Sequence, residues 1–369
     1  MLLHTCTHPA CCPAEGTGTV SSTALRRPRL RHLTLDLHCH TLDVATEQLV
    51  AGRPQKLAEP DIMLQTMGAA SVAHNNAVML PQTFPKLTQL AARLADMDTM
   101  GVDVQVISPS PTQYYYWADE DLAREVVRTQ NEAIAEACAQ HPERLAGLAT
   151  LALQHPTLAC EQLEHAVRTL GLKGIEISTS VNGRELSDPA LRPVWDKAEA
   201  LGALVFIHPF GTTLGARTNS HYLVNTIGQP LETTIALSHL IFGGVLDAHP
   251  GLKIVAAHGG GYLPTYIGRS DHAHAVRPEA AADTRTRPSE HLKRIWFDTV
   301  LYDPLALRHL VDRVGASQVV IGTDYPFDMG QYEVHALVED TPGLDDDERR
   351  AILGGNAAAL IGWPQPHNA

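Results

Sequence analysis

The sequence is poor in cysteine and aromatic residues and has no long apolar run. Six cysteines in 369 residues are too few and too scattered for a disulfide scaffold. Cys39, Cys138 and Cys160 each fall inside an apparent core element, so we expect reduced thiols and a cytoplasmic location. No stretch of eighteen or more apolar residues occurs, and the sequence therefore predicts no membrane span.

Basic residues are also scarce. The chain has 28 Lys and Arg against 41 Asp and Glu, which gives a net charge of −13. An acidic balance favours solubility and argues against a polyanionic partner, so we expect no nucleic acid ligand.

The first 32 residues lack an apolar core long enough for a secretory signal and are dominated by Pro, Gly, Ser and Thr. They contain five residues that could bind a metal: His4, Cys6, His8, Cys11 and Cys12. Their spacing matches no paired CxxC pattern. We expect residues 1–32 to be a disordered extension or the product of an upstream start codon, and a single domain over 33–365.

After residue 32, short β-branched apolar runs alternate with longer stretches of helical period, which is typical of repeated βα units around a parallel sheet. Six clear amphipathic helices are predicted, at 86–100, 119–140, 157–170, 188–201, 231–248 and 303–314. Eight strands are predicted, at 33–38, 102–108, 145–151, 173–178, 203–208, 253–258, 294–299 and 318–324.

Eight strands with intervening helices predict an α/β fold of the (β/α)₈ barrel type, known as a TIM barrel. A doubly wound open sheet is the alternative, but no GxGxxG follows the first strand. Two segments are too long and irregular for simple connections, 41–85 and 209–230. Both follow a strand, so we expect them at the C-terminal mouth of the barrel, with the first acting as a lid or substrate-reading loop.

Histidine and aspartate occupy the C-terminal ends of the predicted strands, where barrel enzymes place their reactive groups. His38 and His40 are two residues apart in an extended segment, so both side chains point the same way and can reach one ion. His208 ends the fifth strand and Asp324 ends the eighth. Three imidazoles and a carboxylate leave a position for water or substrate, as catalytic zinc requires. Singly, His208 is more often a core residue and Asp324 a turn former; together they predict a metal site.

His258 ends the sixth strand and precedes three glycines, which let the backbone pass close to a ligand. It is predicted to be a general acid/base beside the metal, because imidazole titrates near neutral pH. A further metal ligand or a structural turn are the alternatives. Asp298 ends the seventh strand and either orients His258 or a ligand, or only caps the next helix.

The ordered set of motifs DLHCH, HPERLAGLATL, VFIHPF, KIVAAHGGGYLP, GRSDHA and VVIGTDYPF resembles the amidohydrolase superfamily, from about residue 33 to 363. The closer resemblance is to its branch of aminocarboxymuconate-semialdehyde decarboxylase-like enzymes. It implies one divalent metal, usually zinc, held by residues matching His38, His40, His208 and Asp324, with His258 as acid/base. Binuclear relatives carry a bridging lysine on the fourth strand, whereas KGIEIST places Lys173 at its start and Glu176 inside. A single metal is therefore expected.

In the decarboxylases that the chain resembles, two arginines grip the substrate carboxylate. The one supplied across a dimer interface matches Arg269, so the resemblance implies a homodimer. The other, in the long loop after strand one, has no match, because residues 54–92 contain only Lys56 and Lys86 as basic side chains. Lysine cannot reproduce a bidentate guanidinium clamp. Arg217 is either a substitute anion anchor or a solvated loop residue.

These expectations favour non-oxidative decarboxylation of a small unsaturated or aromatic carboxylic acid in a catabolic pathway for aromatic compounds. His258 would move the proton, Asp324 would act in both binding and catalysis, and Arg269 would hold a carboxylate. The same metal ligands also support hydrolysis or hydration, and the missing loop arginine favours that alternative. A non-catalytic barrel that only binds a ligand is a third possibility, which an open metal set beside an acid/base explains poorly.

Overall fold

The structure is a computed structural model and describes residues 32–364. The predicted extension over 1–32 lies outside these residues, apart from His32, so both that expectation and the boundaries of the 33–365 domain stay predictions. No helix in the described part of the chain combines the length and apolar character that crossing a membrane requires.

Eight strands run parallel to their neighbours and correspond to the eight predicted ones. We number them β1 (Leu35–Thr41), β2 (Val104–Pro109), β3 (Leu145–Gly147), β4 (Gly174–Ile177), β5 (Leu204–Ile207), β6 (Lys253–Ala256), β7 (Ile295–Asp298) and β8 (Val319–Val320). A separate antiparallel pair, Ser180–Val181 with Arg184–Glu185, follows β4.

The strands close into a barrel through two narrow joints. Continuous ladders connect β1 to β3 and β4 to β8. A single bridge between Ala149 and Ile175 links β3 to β4. On the other side Cys39 bridges Tyr325, and the Leu37 amide donates to the Ile321 carbonyl at 2.9 Å, which joins β1 to the segment after β8. The predicted TIM barrel is therefore confirmed.

Helices surround the strands, and their ends agree with local sequence signals. Asp119 begins one by accepting a hydrogen bond from the Leu122 amide, and Gly101 ends another in the left-handed conformation. The α-helices are α1 (Val44–Val50), α2 (Pro54–Met67), α3 (Ala69–His74), α4 (Leu80–Thr88), α5 (Leu90–Met100), α6 (Glu120–Gln140), α7 (Pro156–Arg168), α8 (Arg192–Leu201), α9 (Gln229–Phe242), α10 (Val245–Ala248), α11 (Leu263–Val276), α12 (Pro288–His291), α13 (Pro304–Val314), α14 (Val334–Asp340), α15 (Asp346–Arg350) and α16 (Asn356–Ile361).

The barrel interior is filled by apolar side chains from alternate strand positions. Leu35, Leu37, Val104 and Val106 are buried in one cluster with residues of β5, β6 and β8 and with the last helix, α16. This packing lies toward the N-terminal ends of the strands. The opposite, C-terminal ends are thereby left for polar side chains.

The segment 41–85 is helical, where its mixed polarity suggested an irregular loop. It forms α1, α2, α3, a π-helical turn at Asn75–Met79 and the start of α4. The helices accommodate the residues that suggested irregularity, because Pro54 occupies a first turn and Gly68 separates α2 from α3, while Pro60 and Pro85 lie inside α2 and α4. The second excursion, 209–230, also carries a 3₁₀ turn at Gly215–Thr218 and a π turn at Val224–Gly228.

Candidate metal centre and active site

The four predicted metal ligands lie together at the C-terminal mouth of the barrel. His38 and His40 are in β1, His208 follows β5 directly, and Asp324 follows β8 by four residues. One ligand atom from each of the four lies within 4.8 Å of the others, and all four residues are buried. Three separate strand ends thus converge on one point.

Asp324 is at the centre of this group. Its Oδ1 atom lies 3.3 Å from His38 Nε2 and 3.4 Å from His40 Nε2. Its backbone has a positive φ of 57°, which only a few non-glycine residues adopt, and the amides of Thr323 and Asp324 both donate to the His38 carbonyl. These bonds fix the carboxylate against the two histidines.

Ring nitrogen atoms without hydrogen-bond partners indicate that this site can hold a divalent cation. His38 Nε2, His40 Nε2 and both ring nitrogens of His208 are buried without a hydrogen-bond partner among the described residues. Buried polar atoms in folded proteins are nearly always paired, and one nitrogen of each of the three imidazoles lies close to the Asp324 carboxylate, so this set fits a cation. Imidazole nitrogen and carboxylate oxygen suit zinc and the other first-row divalent metals.

Asp298 orients one of these ligands. Its Oδ2 atom lies 2.5 Å from His38 Nδ1, which directs the other ring nitrogen toward Asp324. It also accepts hydrogen bonds from the backbone amides of His258 and Gly259, at 3.0 and 2.9 Å. Of the roles predicted for Asp298, the geometry therefore supports orientation of a candidate ligand, His38. The same carboxylate also connects His38 to the backbone of His258.

His40 is held by two acceptors. Its Nδ1 atom lies 3.3 Å from the Pro109 carbonyl and 3.4 Å from Glu176 Oε2. Tyr114 donates its hydroxyl to Glu176 Oε1 at 2.6 Å. The sequence predicted no role for Glu176, which was noted only because it lies in the fourth strand, where binuclear relatives carry a lysine. A single charged residue inside an otherwise apolar strand was the available signal, because buried charges are rare unless paired.

The carboxylates set the protonation of the metal-free site. Burial lowers the pKa of His38, but Asp324 and Asp298 outweigh it and raise the pKa to about 10. Burial would raise the pKa of Asp324, yet His38 and the other imidazoles hold it well below its usual value. Burial and the neighbouring imidazoles keep the pKa of His208 far below the normal range. His208 is therefore neutral in the metal-free site, which is the form that metal ligation requires, and a cation bound here would replace the proton at His38.

His258 lies beside the ligands with a positive φ of 54°. Its Nε2 atom is 3.5 Å from Asp324 Oδ2, farther than those of the two β1 histidines from Oδ1. The following glycines make this position possible. A Cβ atom on Gly260 would lie 2.6 Å from Phe297, and one on Gly261 would lie 2.1 Å from the Pro230 carbonyl oxygen. His258 therefore faces the open side of the site, where a substrate would approach.

A cavity with two lobes opens above these side chains. The first, which we call the apolar lobe, occupies about 930 Å³ including its opening to solvent, and it reaches His208 and Asp324. The second, the His258 lobe, is lined by His258, Tyr262 and Tyr302. Asn225, Gln229, Asp324 and Met329 line both lobes. The predicted rim segments 41–85 and 209–230 both contribute to the walls.

The two predicted substrate-binding arginines do not line either lobe within the described chain. Arg269 is exposed on α11, one turn beyond Tyr266. Arg217 is exposed in the 3₁₀ turn after β5. Its position favours the solvated alternative, and a role for either arginine stays a prediction.

An eight-stranded barrel with three imidazoles and a carboxylate at its C-terminal mouth defines a class, that of the metal-dependent barrel proteins. The family model described as amidohydrolase matches residues 35–363. The chain belongs to this family, and within it to the branch that resembles aminocarboxymuconate-semialdehyde decarboxylase, as the relatives below show.

Three known proteins illustrate the relationship. A 2-amino-3-carboxymuconate-6-semialdehyde decarboxylase of Dictyostelium discoideum is 36% identical over 271 residues, covering 73% of this chain and 76% of that protein. A gamma-resorcylate decarboxylase of Rhodococcus jostii is 28% identical over 312 residues, covering 78% and 94%. The crystal structure of 5-carboxyvanillate decarboxylase from Novosphingobium aromaticivorans, complexed with manganese, has a TM-score of 0.79 and 20% identity over 90% of this chain and 96% of that one.

Proposed function

We propose that the protein is a metal-dependent, non-oxidative decarboxylase of a small unsaturated or aromatic carboxylic acid. The observation that carries this proposal is the set of three imidazoles with unpartnered nitrogens around Asp324, at the floor of a cavity that also reaches His258. Relatives from separate groups are named as decarboxylases of such acids. The shared part of those substrates is the carboxylate, which a cation at this floor would bind.

His38, His40, His208 and Asp324 are the proposed ligands, and zinc is the proposed metal. When bound, the metal supplies a Lewis acid that neutralises and orients the substrate carboxylate. Zinc suits three imidazoles and one carboxylate, and so does manganese, which the 5-carboxyvanillate relative binds. Metal analysis of the purified protein, with activity after reconstitution by each ion, identifies the functional one.

His258 is the proposed proton donor. In decarboxylation the bond between the substrate carbon and the carboxyl carbon breaks, and its electron pair stays on the substrate carbon. One proton then replaces the carbon dioxide that leaves. His258 Nε2 is positioned to deliver that proton, since it lies 3.5 Å from Asp324 Oδ2 and lines the cavity.

The test is carbon dioxide release by metal-loaded protein from a panel of carboxylated muconate semialdehydes and hydroxybenzoates. We expect release from at least one member and a fall of 10²-fold or more in kcat for His258→Ala, in line with the loss of an acid/base group. The variant should keep its metal, because Asp298 and not His258 orients His38. No release from any member of the panel would refute the proposal.

Hydrolysis or hydration uses the same metal ligands, and labelled water separates it from decarboxylation. A hydrolase or hydratase incorporates one oxygen atom of the solvent into its product and releases no gas. A decarboxylase takes only a proton from solvent. Mass spectrometry of the product formed in ¹⁸O-water therefore decides between the two reactions.

We also propose a homodimer in which Arg269 of the partner subunit reaches the cavity. In support, Arg269 is exposed, as is Tyr266 at 68%, and α2 and its surroundings expose Leu57, Ile62 and Leu64. Light scattering should give twice the mass of one chain. After subunit exchange, a mixture of Arg269→Ala and His258→Ala should regain activity at about a quarter of its sites, because only mixed dimers combine both intact residues.

A reducing, cytoplasmic compartment is the proposed location. Cys39, Cys138 and Cys160 are free thiols in the described chain, and burial raises the pKa of Cys138 to about 12. Thiols of this kind are inert and need no disulfide partner. Thiol titration of the denatured protein, isolated without reductant, should find six thiols per chain, with those of Cys39, Cys138 and Cys160 among them.

A further inference from the structure

Two stacked tyrosines connect the segment after β2 with the end of β4. Tyr114 and Tyr116 stack with their ring centres 5.6 Å apart and an angle of 6° between the rings. Tyr114 donates a hydrogen bond to Glu176 Oε1 at 2.6 Å, and Tyr116 accepts one from the Ser178 amide at 3.2 Å. In the barrel, β3 separates β2 from β4 and meets β4 at a narrow joint. The two rings thus reinforce this joint from the side of β2.

The Glu176 carboxylate is directed at the far side of the His40 ring. Glu176 is fully buried, and its Oε2 atom lies 3.4 Å from His40 Nδ1. This oxygen has no hydrogen-bond partner among residues 32–364. The other ring nitrogen of His40, Nε2, is the one that faces Asp324. Glu176 therefore lies behind the candidate ligand and not on the side where a cation would bind.

Tyr114 is suited to hold this carboxylate in place. Its side chain is buried, and burial first and then the charge of Glu176 raise the pKa of Tyr114 well above its usual range. The hydroxyl therefore keeps its proton and donates it to Glu176. The same hydroxyl oxygen lies 3.4 Å from the carbonyl oxygen of His208. Tyr114 thus contacts the strand end that carries His208 and, through Glu176, the ring of His40.

A second cation bound by Glu176 is the alternative to a supporting role, because binuclear relatives carry a metal-bridging lysine on the fourth strand. The geometry favours the supporting role. Glu176 faces His40 Nδ1, whereas the candidate ligand atoms converge on the side of Nε2. Within the described chain, one group of side chains is placed to share an ion, and it consists of His38, His40, His208 and Asp324.

We infer that Tyr114 and Glu176 are positioning residues for the metal: Tyr114 holds the Glu176 carboxylate behind His40, and this carboxylate fixes the ring and strengthens the binding of the cation. The inference rests on the metal site of the proposed function. An imidazole whose second nitrogen faces a carboxylate is fixed in orientation and tautomer, and it is a more basic ligand. A buried negative charge close to the site also attracts a dication. Asp298 has the same relation to His38.

Glu176→Gln tests the charge, because it keeps the shape of the side chain and the oxygen that Tyr114 needs as an acceptor. The measurement is the dissociation constant for Zn²⁺, obtained with the metal-stripped full chain by competition with a chromogenic chelator. We expect this constant to rise by about 10- to 100-fold, as for other groups that orient metal-binding histidines. The circular dichroism of the metal-free variant should match that of the wild-type protein. Unchanged Zn²⁺ affinity would overturn the inference.

The number of bound ions separates a supporting role from direct ligation by Glu176. Metal analysis after dialysis should find one Zn²⁺ per chain in the wild-type protein and in Glu176→Gln at saturating metal. Two ions in the wild-type protein and one in the variant would overturn the inference and would assign Glu176 to a second cation.

Tyr114→Phe removes only the hydroxyl that holds the carboxylate. We expect a rise of about 10-fold in the dissociation constant for Zn²⁺, at the lower end of the same range. Introduced into Glu176→Gln, the change should add little, because Tyr114 acts through the charge that this variant lacks. Additive effects in the double variant would overturn the pairing. Should Tyr114→Phe fail to fold, the result for Glu176→Gln alone decides.

Tyr115→Phe is the matched control for Tyr114→Phe. It removes the hydroxyl of the next residue in the chain, which is also buried but contacts Glu47 and Lys56 of the rim helices. This variant should bind Zn²⁺ as tightly as the wild-type protein. A loss equal to that of Tyr114→Phe would show that any change in the tyrosine segment weakens the metal site, and would overturn a specific role for Tyr114.

The outcomes distinguish this inference from the proposed function. Carbon dioxide release by the wild-type protein, together with equal Zn²⁺ affinity of Glu176→Gln, refutes the inference alone. Weaker Zn²⁺ binding by the variant, without carbon dioxide release by the wild-type protein from any acid of the panel, refutes the function alone. A wild-type protein that binds no divalent metal refutes both.

Discussion

At the scale of single residues, the carboxylate of Asp298 supports the candidate metal site. It fixes the His38 ring at 2.5 Å and also accepts the backbone amides of His258 and Gly259. We predict that Asp298→Asn lowers metal affinity by about 10- to 100-fold, because an amide no longer fixes the charge and tautomer of the ligand. Competition with a chromogenic chelator measures the affinity.

The control for this variant is Asp312→Asn, which neutralises an exposed carboxylate paired only with Arg308 along α13. It should retain the metal affinity of the wild-type protein. Metal binding by Asp298→Asn as tight as that of the control would show that Asp298 has no part in holding His38.

The sequence indicated the ligands but not the residues that hold them. His38, His40, His208 and Asp324 were predictable because each lies at a strand end, and parallel strand ends meet at one face of a barrel. Tyr114 and Glu176 come from other elements, and their contact with each other depends on how β2 and β4 are spaced across the barrel. No sequence pattern encodes such a distance.

At the scale of elements, the junction between α2 and α3 places the inserted helices over the cavity. Gly68 has a φ of 81°, and a Cβ atom on it would lie 1.8 Å from the carbonyl oxygen of Asn219 in the opposite rim segment. The two rim segments thus touch through glycine. We predict that Gly68→Ala separates them, increases proteolytic cleavage within 54–88 and raises KM more than it lowers kcat.

The unfolding temperature should change little in this variant, because α2 and α3 contain no buried residue. Gly52→Ala is the matched control, since a Cβ atom there meets nothing within 4 Å. Equal cleavage and equal KM in the two variants would contradict a positioning role for the junction.

Strands were more predictable than the inserted helices for a physical reason. A barrel strand is buried on both faces, so its sequence is a short apolar run, as in ALVFIH before His208. Helix α2 buries none of its residues and shows no strong apolar period. The Pro, Gly and Asn residues of 44–88 resembled loop residues, although Pro60 and Pro85 lie inside helices and Gly68 marks a helix end.

At the scale of the whole molecule, Asp247 joins two successive βα units. From α10 it accepts hydrogen bonds from the Thr286 hydroxyl at 2.6 Å, the Thr284 hydroxyl at 2.9 Å and the Arg285 amide at 2.8 Å. Burial would raise the pKa of Asp247, but these hydrogen bonds outweigh it and lower the pKa below its usual value. A carboxyl whose pKa is lowered on folding stabilises the fold above its unfolded pKa and loses this effect as the pH falls.

We predict that Asp247→Asn reduces the free energy of unfolding by about 1–3 kcal/mol at pH 7, since donors aimed at a carboxylate lose their charged partner. At pH 3.5 the difference in free energy of unfolding between the variant and the wild-type protein should be smaller by roughly half a kcal/mol. Urea unfolding of the metal-free proteins at both pH values measures it. A difference in free energy of unfolding that stays constant or grows toward low pH would contradict a lowered pKa of Asp247 in the folded protein. Asp312→Asn, at an exposed ion pair, should show almost no difference at either pH.

By itself, the sequence determined the number and order of the strands, the barrel that they form and the four side chains that can bind a metal. The apolar periodicity and the residue types at strand ends are local properties of the sequence. Because closure of a parallel barrel brings all C-terminal strand ends to one face, these local properties are enough to predict the site. Only the tertiary structure decided which groups orient those side chains and that the described cavity walls carry no lysine or arginine. Both depend on distances between elements far apart in the chain, which packing sets and local sequence does not.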